Sequence, residues 1–432
     1  MEISKSSRDK NEYKFVLTLT ICRAFKLPNG IECIAISNSI TPCGEISNCY
    51  DCTGRKRKRK RTVLTLILDT GSFNDPVHCQ GTAHLLGHVL FNKSKKYQSE
   101  NTLYFYVEEH GGSFSEEIDC DSTVYQVSID QSHTARAVDI FASYFVGPLL
   151  SKETLDEEID EIDMDSLNDI ENMIREKFGG IKPVKHKNIM IGSSYLDFID
   201  QEKFHSVIYY CPISQNNCLY FTWHLPTYFF DDESSVILVL ASLFNEEKEG
   251  SLIEKLRSNN YITDAACGTV YDSGTFFNQY YGLFSIKLLI TKRGFDNWRE
   301  IIKYVRSYLE FLKTEACLML ERDDGQSNLA RFVKNLKESY DIAFEFSEKD
   351  DPVESSLEIA RNMHRLNFND FSRVLTNLKT VKNFNIIKFI QLLNTFLTMD
   401  KVNILLESGH LTPTDAWSLE KWYGAKHFTG TI

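Results

Sequence analysis

Two histidines spaced four residues apart, His84 and His88, constrain this chain more than any other feature. Side chains at this spacing lie on the same face of an α-helix, one turn from each other. The apolar residues that would bury such a helix are interleaved with the pair, at Leu85, Leu86, Val89 and Leu90. The sequence therefore predicts a helix that holds two imidazoles side by side.

Two imidazoles in this arrangement can bind one metal ion, and zinc is the usual ion at histidine sites. A zinc hydrolase also needs a general base, and the motif H-x-x-E-H places a glutamate directly before the second histidine for that purpose. Here that position is Gly87, which has no side chain and cannot accept a proton. On the pair alone, the alternative interpretation stays open that these are two partly buried helix histidines without a ligand.

The flanks of the pair carry a more specific pattern. It runs through residues 81–91 and continues with Tyr97, with residues 100–101 and with the His-Gly-Gly-Ser stretch at 110–113. In order and spacing, these pieces resemble the signature of the insulinase (pitrilysin-like) metallopeptidases, the family of insulin-degrading enzyme. The resemblance implies an α+β fold of two related domains, each a mainly antiparallel mixed sheet with helices packed on one face.

The resemblance covers nearly the whole chain, but only the N-terminal two of the four domains found in long family members. It places a first domain at residues 1–185, with the altered zinc motif and a shortened C-terminal part, and a second domain at residues 186–432. Residues 179–187, which include Gly180 and Pro183, are the expected linker. Long members close two halves around a peptide, so a chain with one half would need a second insulinase-like chain to do the same.

In the resembled family, the third zinc ligand is a glutamate on an acidic helix, with another acidic residue one or two turns before it. Residues 151–165 predict such a helix here, and the match places Glu158 at the earlier, second-shell position and Asp165 at the ligand. An aspartate can bind zinc, but its side chain is one methylene shorter. The segment after Asp165 resembles a much later helix of the family, which implies missing elements or an incomplete gene model. A solvated acidic face is the alternative interpretation.

Two segments are expected to bind substrate. After the His-Gly-Gly-Ser stretch, the family carries an Asn-Ala pair that touches the bound peptide, and the matching positions here are Ser115 and Glu116. A charged Glu116 beside a peptide backbone would change the specificity. In the second domain, Cys267 and Gly268 fall at the strand that anchors the N-terminal end of a substrate in the family.

Composition limits the partners and the compartment. A net charge of −12 disfavours nucleic-acid binding and favours basic or unfolded polypeptides. The eleven cysteines are odd in number and follow no disulfide framework, which is typical of a reducing compartment. No stretch has the apolar length that crosses a bilayer, and residues 1–14 do not resemble a signal peptide. We therefore expect a cytoplasmic protein, and the basic run at 55–61 leaves a nuclear location open.

These features favour an insulinase-family homologue that is catalytically inactive and acts as a peptide-binding or regulatory subunit. Loss of the base at Gly87 alone would cost on the order of 10²–10⁴ in rate. Zinc is expected to bind weakly or not at all, because zinc sites use three or four protein ligands. Two alternatives stay open: an active zinc metalloendopeptidase completed by a second chain, and a non-functional remnant or incomplete gene model.

Overall fold

The computed structural model describes residues 3–5, 12–15, 20–27, 31–38, 61–76, 79–149, 205–212, 217–229, 235–268, 276–277, 281–321, 327–346, 351–365, 374–375, 381, 383–414, 416–420 and 424–431. The chain forms two compact units. The first comprises Met1–Ile191 and Ser347–Asn377, and the second comprises Gly192–Phe346 and Leu378–Ile432. The first unit thus includes a segment that lies far along the chain from the rest of that unit.

The helices, in chain order, are α1 (Thr82–Leu90), α2 (Thr102–Glu109), α3 (Thr134–Val146), α4 (Val236–Phe244), α5 (Leu252–Ser258), α6 (Lys292–Asp296), α7 (Trp298–Glu321), α8 (Asn328–Glu345), α9 (Pro352–Arg365) and α10 (Ile386–Gln391). Within the described ranges, no helix is both long enough and apolar enough to span a membrane.

Two antiparallel sheets belong to the first unit. One has the strand order β1-β2-β3-β4, and its strands are Ile3–Lys5, Glu12–Phe15, Thr20–Lys26 and Glu32–Asn38. The other has the order β5-β7-β6, and its strands are β5 at Arg61–Leu68, β6 at Ser113–Ile118 and β7 at Thr123–Asp130. In this second sheet, β6 is therefore an edge strand.

One face of the β5-β7-β6 sheet carries the core of the first unit. Side chains alternate between the two faces of a strand, so Tyr125, Val127 and Ile129 of β7 point to the same side. They are buried in one cluster with residues of α1, α2 and α3, and this cluster includes Leu90, Phe91, Leu103, Val107, Ala137, Ile140, Phe141 and Tyr144. The core thus fixes α1, the helix of the histidine pair, against this sheet.

Helix α9 covers the opposite face of the same sheet through polar contacts. The Thr65 and Ser356 hydroxyls are 2.7 Å apart, and Gln126 Nε2 donates to the Val353 carbonyl at 2.8 Å. Arg361 pairs with Glu117 of β6. The expected fold, α+β with mainly antiparallel sheets, is confirmed, and the first unit adds a helix on the second face of its sheet.

The second unit contains one mixed sheet with the order β10-β12-β9-β13-β8-β15-β14, and β11 pairs with β12. Its strands are β8 (Ser206–Cys211), β9 (Asn217–Leu225), β10 (Ile262–Cys267), β11 (Phe276–Phe277), β12 (Gly282–Ile290), β13 (Val402–Ser408), β14 (Ser418–Leu419) and β15 (Lys426–Thr431). Strands β13 and β8 are parallel, and the other pairs are antiparallel. Buried residues of α7, at Ile301, Val305, Leu309 and Leu312, join the core of this unit.

Candidate functional site

A glycine and an aspartate stabilise the N-terminal end of helix α1. Gly81 precedes the helix with φ of 89°, a left-handed conformation that glycine adopts without steric cost. The Asp75 carboxylate accepts hydrogen bonds from the backbone N–H of Gly81 at 2.7 Å and of Ala83 at 2.8 Å. These contacts satisfy N–H groups that have no partner within the helix. The start of the helix, and with it the position of the histidines, is thereby fixed.

The histidine pair has the spacing of two ligands on one metal ion. The Nε2 atoms of His84 and His88 are 3.2 Å apart, and the ring centroids are 4.8 Å apart. Two nitrogens on a tetrahedral zinc ion are about 3.3 Å apart, given bonds of about 2.05 Å. The prediction that both imidazoles lie on one helix face is confirmed. At 3.2 Å one ring N–H can donate to the other ring, and the same separation is close to that of two ligands on one ion.

The protonation of His84 also suits metal binding. Burial lowers the pKa of its imidazole, and the nearby His88 lowers it further, while Asp75 acts in the opposite direction. A histidine with a lowered pKa is neutral at neutral pH, which is the form that binds a metal. Burial raises the pKa of the Asp75 carboxyl, against the effect of the N–H groups that it accepts.

Gly87 lies at a crowded point of α1. A Cβ atom placed on it would lie 3.1 Å from Ile118 Cδ1 and 3.4 Å from Glu116 Oε2. Both neighbours are side chains of β6, which approaches this turn of the helix. The space next to Gly87 is therefore bordered by the apolar side chain of Ile118 and by the carboxylate of Glu116.

The Glu116 carboxylate also faces the second histidine. Its Oε1 atom is 3.7 Å from Nδ1 of His88, and the two side chains are 21% and 35% exposed. This contact was not foreseen from the sequence, which predicted Glu116 beside a bound peptide. Ser115 lies on the other face of β6, by the alternation of the strand, and is exposed.

Two glycines form the connection between α2 and β6. Gly111 has φ of 66°, which ends the helix in a left-handed conformation. At Gly112, a Cβ atom would lie 2.3 Å from the carbonyl oxygen of Ser128 in β7, so only glycine fits there. The His-Gly-Gly-Ser stretch thus sets where β6 begins, and this in turn places Glu116 beside α1.

Two further residues were expected at the metal site from the resemblance. Asp165 and Glu158 fall outside the described residues. Among the residues that are described, no group of three or more histidine, cysteine, aspartate or glutamate side chains has the arrangement of a metal site. Within this part of the chain, the donors that fit zinc are the two imidazoles.

Cys267 and Gly268 lie at the edge strand β10 of the second unit. The Cys267 side chain is buried, and its backbone N–H and C=O already bond to the side chain of Asn245 at 3.0 and 2.5 Å. Gly268 has φ of 64°, and a Cβ atom there would lie 2.5 Å from Phe284. A peptide that paired with Cys267 would have to displace Asn245, so the predicted anchoring role stays a prediction.

The burial of the Cys267 thiol can be tested by its rate of alkylation. Desolvation raises its pKa to about 12, and the thiolate is the form that reacts with alkylating agents. We expect Cys267 to resist iodoacetamide in the native protein at pH 8, while the exposed Cys317 reacts. Peptide mapping by mass spectrometry measures both, and denaturant should make their rates similar. Equal native rates would contradict the burial of Cys267.

Comparison with known proteins identifies the family of the chain. The family model described as Insulinase (Peptidase family M16) matches residues 53–189, and that of the Peptidase M16 inactive domain matches residues 165–317. Human nardilysin is 24% identical over 445 residues, and human insulin-degrading enzyme is 28% identical over 170 residues. The alignments cover 86% and 39% of this chain.

Solved structures share the fold. The crystal structure of pitrilysin superposes with a TM-score of 0.70 at 16% identity, covering 99% of this chain and 48% of that one. A protease from Helicobacter pylori gives a TM-score of 0.57 at 13% identity, covering 90% of this chain and 99% of that one. The two-unit α+β fold is thus that of pitrilysin-like metallopeptidases. The chain belongs to the insulinase family, peptidase family M16.

The chain spans less than two fifths of the length of the nardilysins that it matches, since the alignment covers 37% of the human protein. For insulin-degrading enzyme, the share is 14%. Activities of these longer proteins therefore enter below only as proposals.

Proposed function

We propose that this chain is a catalytically inactive insulinase-family protein that binds peptides or unfolded polypeptides as a binding or regulatory subunit. The observation that carries the proposal is Gly87, which stands where the family motif H-x-x-E-H has its general base. Loss of a positioned base lowers a rate by on the order of 10²–10⁴. A Cβ atom at Gly87 would lie 3.1 Å from Ile118 Cδ1 and 3.4 Å from Glu116 Oε2, so a side chain there would have to displace its neighbours slightly.

The position of Glu116 supports inactivity. A general base has to reach water bound to a metal, and an ion held by this pair would lie between the two Nε2 atoms. Glu116 faces Nδ1 of His88, the ring nitrogen that is not directed at His84. The carboxylate would therefore act on the His88 ring, at the nitrogen away from an ion held between the two Nε2 atoms.

Zinc fits the site only in part. His84 and His88 would hold the ion, and a bound zinc would polarise a peptide carbonyl or lower the pKa of water. Catalytic zinc sites use three protein ligands, and the described residues contribute two. We therefore propose weak zinc binding.

The net charge of the chain, its free thiols and an edge strand also support the proposal. With a net charge of −12, the chain attracts basic polypeptides more than acidic ones. Seven cysteines carry free thiols, which is typical of reducing compartments and supports a cytoplasmic location: Cys33, Cys79, Cys120, Cys211, Cys218, Cys267 and Cys317. The edge strand β6 provides backbone groups that an extended peptide can pair with.

The proposal predicts binding without turnover. Purified protein with added zinc should not cleave a library of internally quenched peptides above the rate without enzyme. A fluorescein-labelled basic peptide should bind, with an affinity that falls as salt screens the attraction. Peptide cleavage that is lost both with a chelator and in His84→Ala would contradict the proposal, and so would the absence of any polypeptide binding.

A second candidate function is an active zinc metalloendopeptidase completed by another insulinase-like chain. The observation in its favour is the intact pair, because an Nε2 separation of 3.2 Å is that of two zinc ligands. Affinity purification from the native source, followed by assay of the recovered pair with zinc, decides between the two. If the pair cleaves peptides and the pair with His84→Ala does not, the second candidate replaces the first.

A further inference from the structure

We infer that Glu116 is the positioning residue for His88: it holds the His88 ring in the orientation and tautomer that direct its Nε2 lone pair toward His84, where one divalent metal ion would bind. The inference concerns metal binding by the pair, and it stands whether or not the protein cleaves peptides. It gives Glu116 a role distinct from the peptide contact that the sequence predicted.

The first step is the tautomer of His88. A neutral imidazole carries one proton, so Nε2 can bind a metal only if the proton is on Nδ1. Nδ1 of His88 faces the Glu116 carboxylate at 3.7 Å. A carboxylate accepts hydrogen bonds and donates none, so it favours the tautomer with the proton on Nδ1. That tautomer directs the Nε2 lone pair of His88 toward Nε2 of His84, 3.2 Å away.

The second step is the rigidity of Glu116. Phe114 and Ile118 lie two positions away on the same face of β6, and both are partly buried. The Phe114 ring packs against Phe91 with centroids 4.8 Å apart, and Ile118 lies over Gly87. Packing on both sides thus holds the strand segment that carries Glu116 against α1.

The third step is the environment of the carboxylate. Glu116 is 21% exposed and pairs in register with Tyr125, which is 2% exposed. Burial raises the pKa of Tyr125 above its usual range, and the charge of Glu116 adds to this effect. A carboxylate in such surroundings is stabilised by an N–H donor. The 3.7 Å gap to His88 Nδ1 becomes a hydrogen bond when the carboxylate end moves by about 0.7 Å.

Outer carboxylates of this kind are known to affect metal binding. A histidine ligand commonly donates its second ring N–H to a carboxylate, and removal of that partner costs about 10–100-fold in affinity or activity. The glycine at position 87 is what allows this arrangement here, since a larger side chain would compete for the volume that Glu116 enters.

The test is titration of the full chain with Co²⁺ and Zn²⁺ by calorimetry, with the Co²⁺ absorption spectrum as a second reading. Glu116→Ala should weaken binding about 10–100-fold. Glu116→Gln keeps an acceptor oxygen and should recover most of the affinity. Glu117→Ala is the matched control, because Glu117 is the neighbouring carboxylate on the opposite face, paired with Arg361. It should bind metal as the wild type does.

The tautomer gives a reading that does not depend on metal. In ¹⁵N spectra of the histidine rings, His88 of the metal-free wild type should have its proton on Nδ1, and Glu116→Ala should shift the population toward Nε2. Circular dichroism confirms that each variant is folded. The inference is overturned if folded Glu116→Ala binds Co²⁺ within about twofold of the wild type, if the wild type binds no Co²⁺, or if His84→Ala binds Co²⁺ as the wild type does. Peptidase assays on the same samples test the proposed function separately.

Discussion

Gly87→Glu, the substitution that restores the family motif, is expected to destabilise the protein by about 1–2 kcal/mol at neutral pH and to yield no peptidase activity. The new side chain would start 3.4 Å from Glu116 Oε2, so two carboxylates would share one partly buried volume. Two like charges in one site raise the pKa of one of them and oppose folding while both are ionised. The helix propensity gained over glycine, at most about 1 kcal/mol, offsets only part of this cost.

Urea unfolding of four proteins measures the repulsion: the wild type, Gly87→Glu, Glu116→Ala and the double variant. We expect a coupling free energy of about 1–3 kcal/mol, with the double variant more stable than Gly87→Glu. The raised pKa also fixes the sign of the pH dependence. The destabilisation is present above that pKa and decreases as the pH falls through it, because protonation removes one charge.

Gly87→Gln is the control for size, since glutamine has the shape of glutamate without the charge. It contacts Ile118 Cδ1 in the same way, and this contact requires the end of a flexible side chain to move by a few tenths of an ångström. It should therefore be clearly more stable than Gly87→Glu at neutral pH. Equal stability of the two would show that size, and not charge, determines the effect, and chelator-sensitive peptide cleavage by Gly87→Glu would show that the missing base was the sole defect.

The helix with the histidine pair could be predicted from the sequence because its signal is local. The four-residue spacing of His84 and His88 fixes their common face, and the apolar residues around them fix the buried side. The role of Glu116 was also within reach of the sequence. Phe114 and Ile118 are apolar at two-residue spacing from it, which indicates that Glu116 shares their inward face.

Contacts that join distant parts of the chain could not be predicted in the same way. The hydroxyl of Ser356 in α9 hydrogen-bonds to that of Thr65, 291 residues away in the sequence. Nothing in the local sequence around either residue indicates the other as its partner. Helix α9 is amphipathic, as surface helices generally are. This pattern predicts that one face of the helix is buried, but it does not predict the sheet against which that face packs. The same limit applies to the third zinc ligand expected from the resemblance, because the local sequence does not fix where the helix predicted at residues 151–165 packs.

Phe91→Ala is expected to lower the free energy of unfolding by about 3–5 kcal/mol, the usual cost of removing a buried phenylalanine. Phe91 directly follows α1, is 6% exposed, and lies at the centre of a group of rings. Its centroid is 4.8 to 5.7 Å from those of Phe114, Tyr125, Phe141, Tyr144 and Phe145. Loss of this ring removes packing from α1, β6, β7 and α3 at once.

Because the same ring holds the end of α1 against β6, Phe91→Ala should also weaken Co²⁺ binding by the histidine pair, while Phe91→Leu keeps part of the volume and gives intermediate values. Phe105→Ala is the matched control, since Phe105 lies on the neighbouring helix α2 but is 59% exposed. Its stability should stay within about 0.5 kcal/mol of the wild type. Urea unfolding and Co²⁺ titration measure both effects. If Phe91→Ala unfolded as the wild type does, the aromatic cluster could not be what fixes the helix of the histidine pair.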